Sequence, residues 1–263
     1  MPNGTPRIAL QINPARLASI IDNAVIASNE IVNFHFNALT DADLTEPAQN
    51  TEVRFRVRGS EISAADRRSL HESWILAKAF QELLRAVRHS LEEAHVFVML
   101  LTKVHSIKSD ATLHEFISLL RKKAASLNFP KLLNAVNSKL DPKVEFSAAY
   151  VSLQVARNCL EHRAGIVSKI ETHSKDSFVI RVPRMKMFYL RNNEEVELEP
   201  GHRVNPGDDR AHVDVLWKIE IRERSFKLGE RLFFTLAEFN EISFACHFLG
   251  KQLSSRLPKP SIK

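Results

Sequence analysis

The sequence predicts a mainly α protein: a helical bundle that carries a small antiparallel β excursion before its C-terminal helix. Three observations predict it. Apolar residues recur at helical spacing through most of the chain up to about residue 170. From about 176 to 234 the texture turns β-branched and aromatic, in runs such as "SFVIRVPRMKMFYL" and "AHVDVLWKIEI" separated by "PGHRVNPGDD". Helical spacing then returns in "TLAEFNEISFACHFLGKQL". With 263 residues, 44% of them apolar and 26% charged, the chain is long enough to bury a sizeable core, and a single domain over 1–263 is expected.

Taken in order, Asn13 before Pro14 is an N-cap and first-turn pair. From there Leu17, Ile20, Ile21, Ala24, Val25, Ile31 and Phe34 form the apolar stripe of a helix over 13–39. Residues 40–60 are acidic and polar and end in "EVRFRVRGS", which reads as a short strand or an arm. Ser63 with Asp66 is a capping-box variant. It opens a helical region through Leu70, Trp74, Ala77, Phe80, Leu83 and Leu84 toward Leu101. Shorter helices are expected near 110–126 and 130–139. Pro142 precedes another, from about Val144 to Arg163, with Gly165 placed as its C′ residue. The bundle thus covers 13–39 and 62–170, and the β excursion 176–234, including "LGERLFFT". Thr235 caps the last helix over 235–254, and the basic, proline-bearing tail 255–263 reads as disordered.

Composition narrows the function classes. No apolar run approaches the roughly 20 residues of a membrane helix, and the N-terminal stretch has no signal-peptide pattern, so a cytoplasmic protein without membrane contact is expected. Cys159 and Cys246 offer neither a disulfide framework nor metal-ligand spacing. The eleven histidines show no zinc-type spacing, and His71, His89 and His95 read as helix-surface residues. The seven glycines form no glycine-rich, phosphate-cradling loop, and there is no Gly-x-Ser-x-Gly elbow. No metal and no cofactor is expected. A formal charge of +6 suits a polyanionic partner such as RNA. Arg54, Arg56 and Arg58, and the run Arg121, Lys122 and Lys123, are candidate backbone contacts for it.

The chemistry-bearing stretch is "ARNCLEHRAGIVS". On a helical wheel Ala149, Leu153, Ala156 and Leu160 form a core stripe with Arg157 at its edge. Asn158 and His162 stack on the opposite side, together with Ala148, Val151 and Val155. A helix apolar on two sides is packed on two sides, against another element of this chain or against a second copy. His162 and Arg163 fall in the last turn, where the helix dipole suits a cation. Arg157 carries a planar fork matched to phosphate oxygens. Such a set could cleave RNA without a metal, by helping a 2′-hydroxyl attack its own phosphate. The spacing alone is weak, with about one chance occurrence expected in a chain of this length. Arg88 with His95 is a looser competitor, read as a solvated face.

The longer string "RNCLEHRAGIV" resembles the signature of the HEPN superfamily, in which an arginine, often an adjacent polar residue, and a histidine a few positions on lie at one helix. Arg163, Gly165 and Val167 fit the flank of stand-alone bacterial members, and "KLGERLFFT" resembles the turn that leads into their last helix. The resemblance implies a HEPN-like all-α bundle that dimerises through the motif helix, and an endoribonuclease of toxin–antitoxin or phage-defence systems with an antitoxin or defence protein as candidate partner. It implies Arg157 and His162 as catalytic residues, assisted by Asn158, with Arg163 as an RNA contact. Other members are non-catalytic RNA-binding proteins or scaffolds, which is the alternative. Ala164 stands where the nucleotidyltransferase-regulated branch usually has tyrosine, so that mode of control is not expected.

Overall fold

A computed structural model describes residues 13–44, 62–103, 110–172, 176–198 and 214–258. The element order is α1 (Ala15–Asp41), α2 (Ala64–Lys103), α3 (Asp110–Ser126), α4 (Phe129–Asn137), α5 (Ser147–Arg163), α6 (Lys169–Thr172), β1 (Ser177–Arg191), β2 (Glu194–Glu197), β3 (Leu216–Lys227) and α7 (Leu236–Arg256). The protein is therefore mainly helical, with a three-stranded antiparallel sheet of order β2-β1-β3 ahead of its last helix. Among the described residues no helix is long and apolar enough to cross a membrane. The "EVRFRVRGS" stretch and the last five residues of the basic tail lie outside the described residues.

Local chemistry accounts for the helix starts. Asn13 Oδ1 accepts from the Ala15 amide at 3.0 Å, so Asn13 satisfies an orphan donor one position ahead of Pro14. Ser63 accepts from the Asp66 amide at 3.1 Å. Thr235 and Glu238 form a complete capping box on α7. The helix expected from Val144 begins later, at Ser147. The Val144 amide donates to Asn137 Oδ1 at 2.6 Å and the Glu145 amide to Gln252 Oε1 at 2.7 Å, so side chains of α4 and α7 capture this backbone before it coils.

One apolar core joins these elements: Ile21 of α1, Phe80 and Leu84 of α2, Leu133 of α4, Leu153 of α5, Ile180 of β1, Phe226 of β3 and Phe239 of α7 all belong to it. Gly250 lets α7 approach α1, since a Cβ there would lie 3.4 Å from Ile21 Cδ1 and 3.5 Å from Ala18 Cα. Arg184 of β1 is buried and reaches Glu197 on β2, Glu220 on β3 and, at 3.6 Å, Glu241 on α7. One guanidinium thereby ties all three strands to the last helix.

Several expectations are corrected. Ile31 and Phe34 on α1 and Leu70 and Trp74 on α2 sit at apolar helical positions, yet all four are more than half exposed. β3 runs on through Lys227, whereas "LGERLFFT" is a turn and an irregular lead into α7. β2 was not anticipated. It follows a two-residue turn in which Asn192 and Asn193 both take positive φ, the conformation a tight hairpin needs.

His95 is not on the helix surface; it is 4% exposed, and neither ring nitrogen has a hydrogen-bond partner among the described residues. Burial, helped by the charge of Lys123, holds its pKa below the usual histidine value. The folded state thus binds fewer protons than the unfolded state, and stability falls as pH drops below about 6.5, the ordinary histidine value. His95→Leu should gain about 1 kcal/mol at pH 7.5 by removing two unpaired polar atoms. Its advantage should widen at pH 5, as read by urea unfolding at both pH values; an unchanged difference would show that His95 carries no acid sensitivity.

Candidate functional site at the end of α5

α5 is packed on two sides within one chain. Ala149, Leu153 and Ala156 are buried, and the Tyr150 hydroxyl donates to the Ala245 carbonyl of α7 at 3.1 Å. On another side Ser152 Oγ accepts from the Arg181 amide at 2.9 Å, a donor on the part of β1 that β2 does not reach. Of the strip formed by Val151, Val155, Asn158 and His162, the two valines are half-buried against the core of the same chain, Asn158 is half-buried and His162 is exposed.

The helix stops through Ala164 and Gly165, both at positive φ, with the Gly165 amide donating back to the Cys159 carbonyl at 3.1 Å. Glycine is required at 165, since a Cβ would lie 3.2 Å from both the Leu160 side chain and the Leu232 carbonyl. The chain after the helix is then stitched to the lead into α7. Leu232 donates to Gly165 at 2.7 Å, Val167 to Glu230 at 2.9 Å and Gly229 to Val167 at 2.8 Å. The segments "RAGIV" and "KLGERLFFT" are hydrogen-bonded partners.

Three of the candidate residues come together on the last turns of α5. Arg157 Nη2 lies 2.7 Å from Glu161 Oε2, and its Nε is buried without a hydrogen-bond partner among the described residues. Asn158 Oδ1 accepts from Gln154 Nε2 at 2.9 Å, which orients the amide so that its NH2 is on the donor side. The His162 side chain is 63% exposed, with Nε2 3.8 Å from Glu161 Oε2. A cationic fork, an amide donor and an accessible imidazole therefore share one helix end, with a carboxylate between the two basic groups.

The other candidates are placed differently. Arg163 turns inward to the buried carboxylate of Glu171, and so is engaged inside the chain. Arg121 pairs with Glu93 of α2 at 3.2 Å, and Lys122 and Lys123 are exposed beside it on α3, which rests on α2. Arg54, Arg56 and Arg58 lie outside the described residues. The competitor pair also resolves: Arg88 donates to the carbonyls of Ala125 and Leu127, so it ties α2 to the α3–α4 junction. Cys159 is buried, and burial followed by the Glu171 charge raises its thiol pKa, which makes it a poor nucleophile.

Two residues were missed from the sequence. Glu161 lies inside the motif string, and its role shows only in its contacts with Arg157 and His162. Arg231 bridges Ile166 through its backbone, is exposed, and has no ion pair among the described residues. Nothing in local spacing marks Arg231, because only the pairing of two distant segments brings it to the helix end. Comparison with family models, with curated proteins and with solved structures finds no match.

The helix end depends on Glu171. Burial pushes its carboxyl pKa up, but the Ser168 hydroxyl and amide, at 2.7 and 2.8 Å, and the Arg163 charge outweigh this and leave it lowered. Its contribution is present above the ordinary carboxylate value of 4.5 and is lost as pH falls through the lower folded value. Glu171→Gln should cost about 2 kcal/mol at pH 7 by leaving Arg163 without its counter-charge. The gap to wild type should close under acid, as measured by denaturant midpoints at pH 7 and pH 3.5; a gap that persists unchanged would remove the ionised carboxylate from the explanation.

Proposed function

We propose that the end of α5 is the working site of a metal-independent endoribonuclease of the HEPN type, completed when two copies of the chain meet at the Asn158 and His162 end of α5. The observation that carries this reading is the convergence of Arg157, Asn158 and an exposed His162 on one helix end, in a sequence string that resembles the HEPN signature. In the reaction a ribose 2′-hydroxyl attacks the adjacent phosphorus and the bond to the 5′-oxygen breaks. Arg157 stabilises the charge that builds on the phosphate oxygens. His162 moves a proton between the sugar oxygens, and the Asn158 amide orients the phosphate. Exposed Arg231 beside the site is a further backbone contact. The setting that the resemblance suggests is toxin–antitoxin or phage defence, in the cytoplasm, with a partner protein that restrains the activity.

A second reading is a non-catalytic RNA-binding or scaffold protein. The engagement of Arg157 by Glu161 and of Asn158 by Gln154 favours it, because both polar groups already have partners in the single chain.

Incubating a mixed RNA pool with wild type and His162→Ala in the presence of EDTA separates the two. The enzyme reading expects cleavage by wild type and at least a 100-fold loss in the variant. Binding without cleavage by either protein would favour the second reading, and equal cleavage by both would remove His162 from the mechanism.

A further inference from the structure

Glu161 is out of place by the ordinary rules of helix design. It lies in the last turn of α5, beside His162 and Arg163, where the helix dipole disfavours a carboxylate. Its partner Arg157 stands four residues before it, the less favourable order for a helical ion pair. The carboxylate is the more accessible of the two groups, since the Glu161 side chain is 32% exposed and the Arg157 side chain 18%. Yet both carboxylate oxygens are turned onto one guanidinium nitrogen, at 2.7 and 2.9 Å, and the same group stands 3.8 Å from His162.

A carboxylate on an arginine fork sits where an oxygen of a phosphate group would sit, since both anions are planar or tetrahedral arrays of acceptors that match the same donors. We propose that Glu161 is a built-in competitor for the RNA phosphate at Arg157, a positioning residue that holds the guanidinium aimed at the site and yields it when a phosphodiester arrives. The displaced carboxylate then has His162 as its nearest basic neighbour. The exchange moves only the carboxylate, the more exposed partner and the one set in the less favourable helical order, while the partly buried guanidinium stays in place. The competitor role rests on the reading of this helix end as an RNA site.

The test is a double-mutant cycle in affinity rather than in cleavage. The probe is a fluorescein-labelled 2′-O-methyl oligoribonucleotide of mixed sequence, which lacks the attacking hydroxyl and stays intact. Its anisotropy is measured with wild type, Glu161→Gln, Arg157→Gln and the double variant, after circular dichroism shows that all four are folded. Glu161→Gln should tighten binding about threefold to tenfold and steepen the slope of log Kd against log salt by about 0.7, the value of one added contact on a single strand. In the Arg157→Gln background the same change should give no gain. A gain that persists without Arg157 would mean that only net charge had changed, and the competitor role would fall. Equal affinity of wild type and Glu161→Gln would also overturn it while the RNA reading stands. No binding of the probe by any of the four proteins would overturn the RNA reading itself, and the competitor role with it.

Discussion

The carboxylate of Glu171 is the point on which the site region depends. It is buried, and it remains charged only because Ser168 donates to it twice and Arg163 faces it. An uncompensated charge at that depth would cost several kcal/mol, so the three partners have to be held together. Holding them fixes the last residue of α5, the loop after it and the one-turn helix α6 as a unit. Gly165 then turns the chain under Leu232, and the backbone pairing with residues 229–232 follows. Arg157, Asn158 and His162 inherit their positions from this arrangement, although none of them takes part in it.

The sheet and α7 hold the other side of the same helix. β2 pairs with β1 only over Phe188–Arg191, and on the stretch before it Ser152 of α5 takes up the Arg181 amide. Arg184 then locks the sheet to α7 through three glutamates on three different elements. Burial raises the carboxyl pKa of Glu241, so the arginine cluster beside it also keeps that carboxylate from standing alone in the interface. The β excursion is in this sense structural support for the helix end. A polar network of this kind specifies one docking of sheet on helix more tightly than apolar contact would.

Much of the helical framework could be read from residue order. Asn13, Ser63, Thr235 and Gly165 are signals that act within a few residues, and each does locally what its chemistry suggests. The grouping of Arg157, Asn158 and His162 on one helix end was equally legible, because helical periodicity alone places them. What escaped depended on distant parts of the chain. Phe34 and Trp74 obey helical spacing and are still exposed, since no element covers that side of α1 and α2 among the described residues. His95 looked like a surface histidine until α3 packed near it. Arg163 looked like a free cation, and only the return of the chain at Glu171 turns it inward. Asn192 and Asn193 are the exception, a local turn signal that was present and overlooked.

The central claim is that two copies join along the strip of α5 that holds Asn158 and His162. Disulfide trapping tests it most directly. Cys159 and Cys246 are buried, and burial pushes the Cys246 thiol up to about 12, so neither competes with an introduced thiol. Asn158→Cys and, as a control on α3, Lys122→Cys would be oxidised and sized by light scattering and non-reducing electrophoresis. The account predicts a particle of twice the 29.9 kDa chain mass for wild type and a covalent dimer for the Asn158 variant alone. A particle of 29.9 kDa with no covalent dimer at position 158 would contradict it.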